Sequence, residues 1–144
     1  MRIQQISVFL ENKAGRLATV TRILGDNDID IRALSIADTK DFGVLRLIVN
    51  KPLKAERILK ENGFTVSGTN VIAIGVPNRP GGLADALEIL GPAEIGIEYV
   101  YAFVGRVEDE ALVILKVDDP DAAVQALTAR GINVLPASAV YEKE

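Results

Sequence analysis

The stretch Glu11-Asn12-Lys13-Ala14-Gly15-Arg16-Leu17-Ala18 decides the reading of this chain. It recurs 66 residues later as Pro77-Asn78-Arg79-Pro80-Gly81-Gly82-Leu83-Ala84. Asn, Gly, Leu and Ala keep their places in both copies. Each copy follows an apolar run (Ile6, Val8, Leu10; then Ile72, Ile74, Val76) and opens an amphipathic one (Leu17, Val20, Leu24; then Leu83, Leu87, Leu90). The pattern predicts a strand, a tight glycine turn and a helix whose free N–H groups point back over the turn. Such a turn is a seat for an anion.

Outward from the first copy, residues 3–10 read as a strand and 14–25 as a helix stopped near Gly25. Ile29 to Ala37 and Phe42 to Val49 read as a hairpin around Asp38-Thr39-Lys40-Asp41. Pro52 suits the first turn of a second helix with the apolar stripe Ala55, Ile58 and Leu59. Gly63 ends that helix and Phe64-Thr65-Val66 begins a fourth strand. The order βαββαβ then restarts. Over residues 6–31 ten of 26 positions are identical at the offset of 66, Ile6/Ile72, Leu24/Leu90 and Ile29/Ile95 among them. Beyond the hairpin the offset is 68, with Pro52/Pro120, Leu59/Leu127, Gly63/Gly131 and Val66/Val134 in register.

The expected organisation is therefore two repeats, 1–68 and 69–144, joined by the short linker Ser67-Gly68-Thr69-Asn70. Right-handed crossovers put both helices of a repeat on one face of an antiparallel four-stranded sheet. The fold class is α+β: two ferredoxin-like βαββαβ repeats, antiparallel sheets with helices on one face. Ile6, Val8 and Leu10 should face the helices. On the other face Tyr99, Tyr101 and Phe103 alternate with little polar company, so some cover over that face is expected.

Composition narrows the function. The chain has 144 residues, 49% hydrophobic and 25% charged, which is globular composition. Net charge is −4, which gives no general attraction to nucleic acid or anionic membrane. There is no Cys and no His, which removes thiolate chemistry, the usual zinc ligands and the commonest general base. No catalytic residue, metal or cofactor is expected. No signal peptide and no membrane span is evident, so a cytoplasmic protein is the expectation. An RNA-recognition module shares the βαββαβ order but stacks bases on first- and third-strand aromatics; here those strands carry only Phe9 and Phe42.

Asn78-Arg79-Pro80-Gly81-Gly82-Leu83, with Ile95-Gly96-Ile97, resembles the Asn-x-Pro-Gly-x-Leu turn and second-strand start of ACT domains, small βαββαβ modules that bind amino acids. Asn12-Lys13-Ala14-Gly15-Arg16-Leu17, with Ile29-Asp30-Ile31, resembles it too, with Ala14 in place of Pro. The resemblance covers essentially the whole chain. It implies ligand binding where the turn of one module meets a neighbouring module. It assigns Asn12, Lys13, Ala14, Gly15, Arg16, Leu17, Asp30 and Ile31 in the first repeat. In the second it assigns Asn78, Arg79, Pro80, Gly81, Gly82, Leu83, Gly96, Ile97 and Glu98.

The chemistry suits a free amino acid. Helix N–H groups and glycines accept a carboxylate closely. Asn12 or Asn78 both donates and accepts, and Asp30 or Glu98 would hold an ammonium. The structural alternative is that each Asn is a helix N-cap and each Gly relieves a dihedral. The expected function is a non-catalytic sensor that binds free amino acids and regulates amino-acid metabolism, as a homodimer or higher homo-oligomer. The alternative is an adaptor subunit that docks on a separate amino-acid-metabolising enzyme without a ligand of its own.

Overall fold

The computed structural model describes residues 3–11, 13–38, 41–103 and 109–141. In chain order the elements are β1 (Ile3–Glu11), α1 (Arg16–Asp26), β2 (Ile31–Asp38), β3 (Phe42–Val49), α2 (Pro52–Glu61), β4 (Thr65–Pro77), α3 (Gly82–Leu90), β5 (Ile97–Ala102), β6 (Glu110–Val117), α4 (Pro120–Ala129), β7 (Asn133–Val134) and α5 (Ala137–Tyr141). The chain divides into two compact units. The first is Gln4–Thr69 with Tyr141, and the second is Asn70–Val140 with Ile3.

In the first unit the strand order is β2-β3-β1-β4. Antiparallel register pairs Ile6 with Leu47 and Leu10 with Gly43 across β1–β3, and Ile31 with Val49 and Ile36 with Leu45 across β2–β3. Period-two alternation sends Ile6, Val8, Leu10, Leu45, Leu47 and Val49 to one side. There they form one core with Val20 and Leu24 of α1, Ala55, Ile58 and Leu59 of α2, and Phe64. In the second unit β5 and β6 flank β4 on one side and β7 pairs with it on the other. Ile72, Ile74, Val76, Val113, Leu115 and Val117 pack against Ala86 and Leu90 of α3 and Ala123 and Leu127 of α4. Both units are thus the expected α+β sandwich of helices on one sheet face.

The duplication extends to the backbone. The residues after α1 and α3 match: Asp28 and Glu94 have φ of 61° and 59°, and Ile29 and Ile95 donate to Leu24 and Leu90 at 3.0 and 3.1 Å. A bulge follows in both, between Ile31 and Ala33 and between Ile97 and Tyr99. Gly63 and Gly131 leave α2 and α4 at φ of 87° and 83°, where a side chain would be strained. Pro52 and Pro120 open α2 and α4. Asp119 caps α4 by accepting the Ala122 N–H at 3.1 Å, whereas its neighbour Asp118 reaches across to accept the Gly96 N–H at 3.1 Å.

Four expectations differ from the structure in detail. The linker Ser67-Gly68-Thr69-Asn70 is strand, part of the thirteen-residue β4; nothing in Ser, Thr or Asn forces a break, and Gly68 lets the Gln4 side chain lie against its backbone. Gly25 lies inside α1 instead of ending it, and Asn27 is the C-cap. The last strand of the second repeat is only the two residues of β7, because Pro136 cannot continue a hydrogen-bonded ladder and α5 follows. Leu17 and Leu83, placed on the apolar stripes of the amphipathic runs, are each 39% exposed: they share the arc of the buried Leu24 and Leu90 but stand two turns earlier, on the first turns of α1 and α3.

On the sheet face away from the helices, Gln5, Ser7, Ala33 and Ile48 of the first unit are buried, as are Val71, Ala73 and Ile114 of the second. The Tyr99 and Tyr101 rings stack at 6.3 Å. Phe9 and Phe42 remain 49% and 55% exposed.

The half-buried Tyr141 hydroxyl accepts the Gln4 N–H at 2.6 Å. Burial pushes its pKa above the ordinary 10.0, partly offset by that hydrogen bond. The phenol is neutral when protonated, so its contribution to stability is present below the unfolded pKa and is lost as pH rises through the folded one. Denaturant midpoints compared at about pH 8 and about pH 11 should fall less in Tyr141→Phe than in the native chain. Equal falls would remove the phenol from the alkaline instability.

Candidate functional site

The two corners between β1 and α1 and between β4 and α3 are built alike. Gly15 has φ 88° and ψ −12°, and Gly81 has φ 87° and ψ −10°. Only glycine adopts this left-handed geometry without a Cβ penalty. Lys13 donates its backbone N–H to the Glu11 carbonyl at 2.8 Å, and Arg79 to that of Pro77 at 2.9 Å. Thr19 and Asp85 donate to Gly15 and Gly81, both at 2.9 Å. The two glycines are the N-caps, and neither helix has a side-chain cap. Among the described residues no acceptor takes the N–H groups of Leu17 and Ala18, or of Leu83 and Ala84. Four donors therefore stand at the positive ends of two helix dipoles.

The side chains around these corners differ. At the first, Leu10, Glu11, Lys13, Arg16, Leu17, Ile36 and Gly43 line a cavity of about 190 Å³. The Arg16 guanidinium lies 4.9 Å from the centroid of the Phe64 ring. Its Nε is buried and has no hydrogen-bond partner among the described residues. Lys13 approaches Glu11 only to 3.8 Å, with both side chains exposed. Ala14 lies in the exposed turn.

At the second corner Gly82 takes the place of Arg16. Its Cα is pressed on Pro77, so that a Cβ there would lie 2.0 Å from the Pro77 carbonyl oxygen. Arg79 folds over the turn to donate to the Pro80 carbonyl at 3.2 Å and to Asp85 at 3.0 Å. Asn78 is exposed and gives its backbone N–H to Asp109 at 2.8 Å. Its carboxamide caps no helix. Asn12, the matching position, lies outside the described residues.

The second-strand residues stand elsewhere. Register puts Gly43 beside Leu10 at one end of the sheet and Val49 beside Ile31 at the other. Asp30 is thus roughly 20 Å from the Gly15 corner of its own unit at about 3.3 Å per residue. It lines a separate cleft with Gly25, Asp28, Ile29, Arg32, Asn50 and Lys51. There Asp30 pairs with Arg32, and Lys51 with Asp28 at 3.4 Å. Ile31 packs on the core. In the second unit Gly96 donates its N–H to Asp118, Ile97 is 36% exposed, and Glu98 pairs with Lys116 at 3.3 Å. Glu11, Leu10, Ile36 and Gly43 are cavity residues that the turn motif does not mark. Glu11 borders it in sequence; Ile36 reaches it only through the β2–β3 register.

A duplicated βαββαβ unit with a left-handed glycine corner under each first helix defines a tandem ferredoxin-like protein. The chain belongs to the ACT domain pair family, which matches residues 1–140. The crystal structure of protein BT0572 from Bacteroides thetaiotaomicron is similar at a TM-score of 0.93 and 40% identity, over 99% of this chain and 98% of that one. The ligand-free regulatory subunit of aspartate kinase from Thermus thermophilus shares the fold at a TM-score of 0.65 and 16% identity, over 89% and 92% of the two chains. A structure of aspartokinase alpha and beta subunits matches at 0.60 and 16%, over 88% and 90%. No curated protein sequence matches this chain. Among the described residues no helix is long and apolar enough to cross a membrane.

Proposed function

We propose that this protein is a non-catalytic sensor that binds a free amino acid at a glycine corner and regulates amino-acid metabolism. The observation that carries the reading is the pair of left-handed glycines, Gly15 and Gly81, each opening a helix whose first backbone donors meet no acceptor among the described residues. Those donors and the dipole behind them suit a carboxylate. Family membership supports a regulatory role. The protein works as a homodimer or higher oligomer, and ligand at the corner shifts its arrangement only through different affinity for two arrangements. A regulator of this kind works in the cytoplasm, where the metabolic pools lie.

Likeness in fold to a separate regulatory subunit of aspartate kinase favours a catalytic partner chain as the recipient of the signal. An adaptor that docks without any ligand is the second reading.

Calorimetric titration with the common amino acids separates the two. A ligand held at a hundred times its Kd stabilises the fold by about 2.7 kcal/mol, a rise in Tm of roughly 5–10 °C. Saturable heat with that rise is expected for at least one amino acid. No heat and no shift with any of them, together with an enzyme that co-purifies, would leave the adaptor.

A further inference from the structure

The first corner carries three side-chain features that its twin lacks, and together they specify a ligand. Arg16, with a buried and unpartnered Nε, is a cation at the cavity wall; the matching residue is Gly82. Glu11 is a carboxylate whose lysine partner stands at the limit of an ion pair; the matching residue is Pro77. Ile36, 47% exposed, completes an apolar wall with Leu10 and Leu17; the matching residue is Ala102. At the second corner no side chain can leave residue 82, and Arg79 is already spent on Asp85.

Taking the sensor reading as its base, we infer that the cavity at Gly15 is the chain's one amino-acid seat, and that it selects a small aliphatic amino acid of the valine class. The Arg16 guanidinium and the Leu17 and Ala18 N–H groups hold the carboxylate. Glu11 exchanges its loose contact with Lys13 for the ligand ammonium. Leu10, Leu17 and Ile36 enclose the side chain. Size agrees with this: a cavity of about 150 Å³ holds the six carbons of benzene, so the roughly 190 Å³ here suits about eight heavy atoms, the number in valine. An indole or a long cationic chain would project past the half-exposed Leu17 and Ile36 into solvent.

The experiment titrates the full chain with L-valine, L-isoleucine, L-glutamate, L-lysine and L-tryptophan, and with the 2-oxo acid of valine. The aliphatic pair is expected to bind, at one site per chain. Arg16→Gln should weaken L-valine by about tenfold to a hundredfold, the loss of a charge-assisted hydrogen bond. Glu11→Gln should weaken L-valine by at least about fivefold and leave the 2-oxo acid, which has no ammonium, unchanged. Circular dichroism confirms that each variant is folded, and the wild-type selectivity needs no variant at all. Binding of glutamate, lysine or tryptophan in preference to valine overturns the inference and leaves the sensor reading standing. Two equal sites per chain overturn the single seat in the same way. No binding by any amino acid overturns the inference and the sensor reading together.

Discussion

Gly82→Ala should lower the unfolding free energy by about 3 kcal/mol, the upper end for forcing extra atoms against a neighbour that cannot move aside. The new Cβ would lie 2.0 Å from the Pro77 carbonyl oxygen and 3.1 Å from its carbon. Both are backbone atoms at the end of β4, so no rotamer change relieves the overlap. Either the corner opens or α3 shifts on its core, and α3 buries Ala86 and Leu90 against the sheet. Gly25→Ala is the control. Gly25 sits within α1, where a Cβ would meet nothing nearer than the end of Arg22 at 3.9 Å. Exchanging a glycine in the last turn of a helix for alanine should raise stability by about 0.5–1 kcal/mol. Urea midpoints read both effects. A loss at Gly82 below about 1 kcal/mol would mean that the corner yields freely, and the contrast with Arg16 would lose its physical basis.

Leu24→Ala and Leu90→Ala should each cost about 3 kcal/mol, within the usual range for truncating a fully buried leucine. Both side chains are 0% exposed, and each sits in the last turn of the first helix of its repeat. Their partners correspond as well: Ile6, Leu45 and Leu47 in one core, Ile72, Val113 and Leu115 in the other. The two losses should therefore agree within about 1 kcal/mol, the spread coming from how far each cavity collapses. Leu53→Ala, at a side chain 74% exposed, should stay within about 0.5 kcal/mol of native. A large loss in one repeat beside a negligible loss in the other would show that the duplicated pattern no longer encodes duplicated packing.

The backbone of the two glycine corners was legible before any fold was known, because its requirement is local. Gly15 and Gly81 each take a positive φ that few other residues tolerate, and a run with helical period follows each. The difference between the corners was half legible: Arg16 against Gly82 is visible in the alignment of the repeats, but its meaning is not. Only the approach of Pro77 explains the glycine, and only the Phe64 ring against its guanidinium explains how an arginine with no ion-pair partner among the described residues is held. The N-cap reading of the two asparagines was a matter of local geometry as well. At the described corner the glycine takes the N-cap position, which puts Asn78 three residues too early.

By itself the sequence determined the duplication, the α+β class, the core-facing residues of the first strand of each repeat and the two glycine corners. Each follows from a period of two or 3.6 or from one residue's allowed dihedrals, and such signals lie within a few residues of one another. Tertiary structure alone decided that Ser67 to Asn70 continue a strand, that Leu17 stands half outside the core, that Asp30 lies at the far end of its sheet from Gly15, and that Ile36 joins Arg16 around one cavity. Those outcomes depend on strand register and on the seating of helices over the sheet. Both are set by contacts between residues distant in the chain, which no local period records.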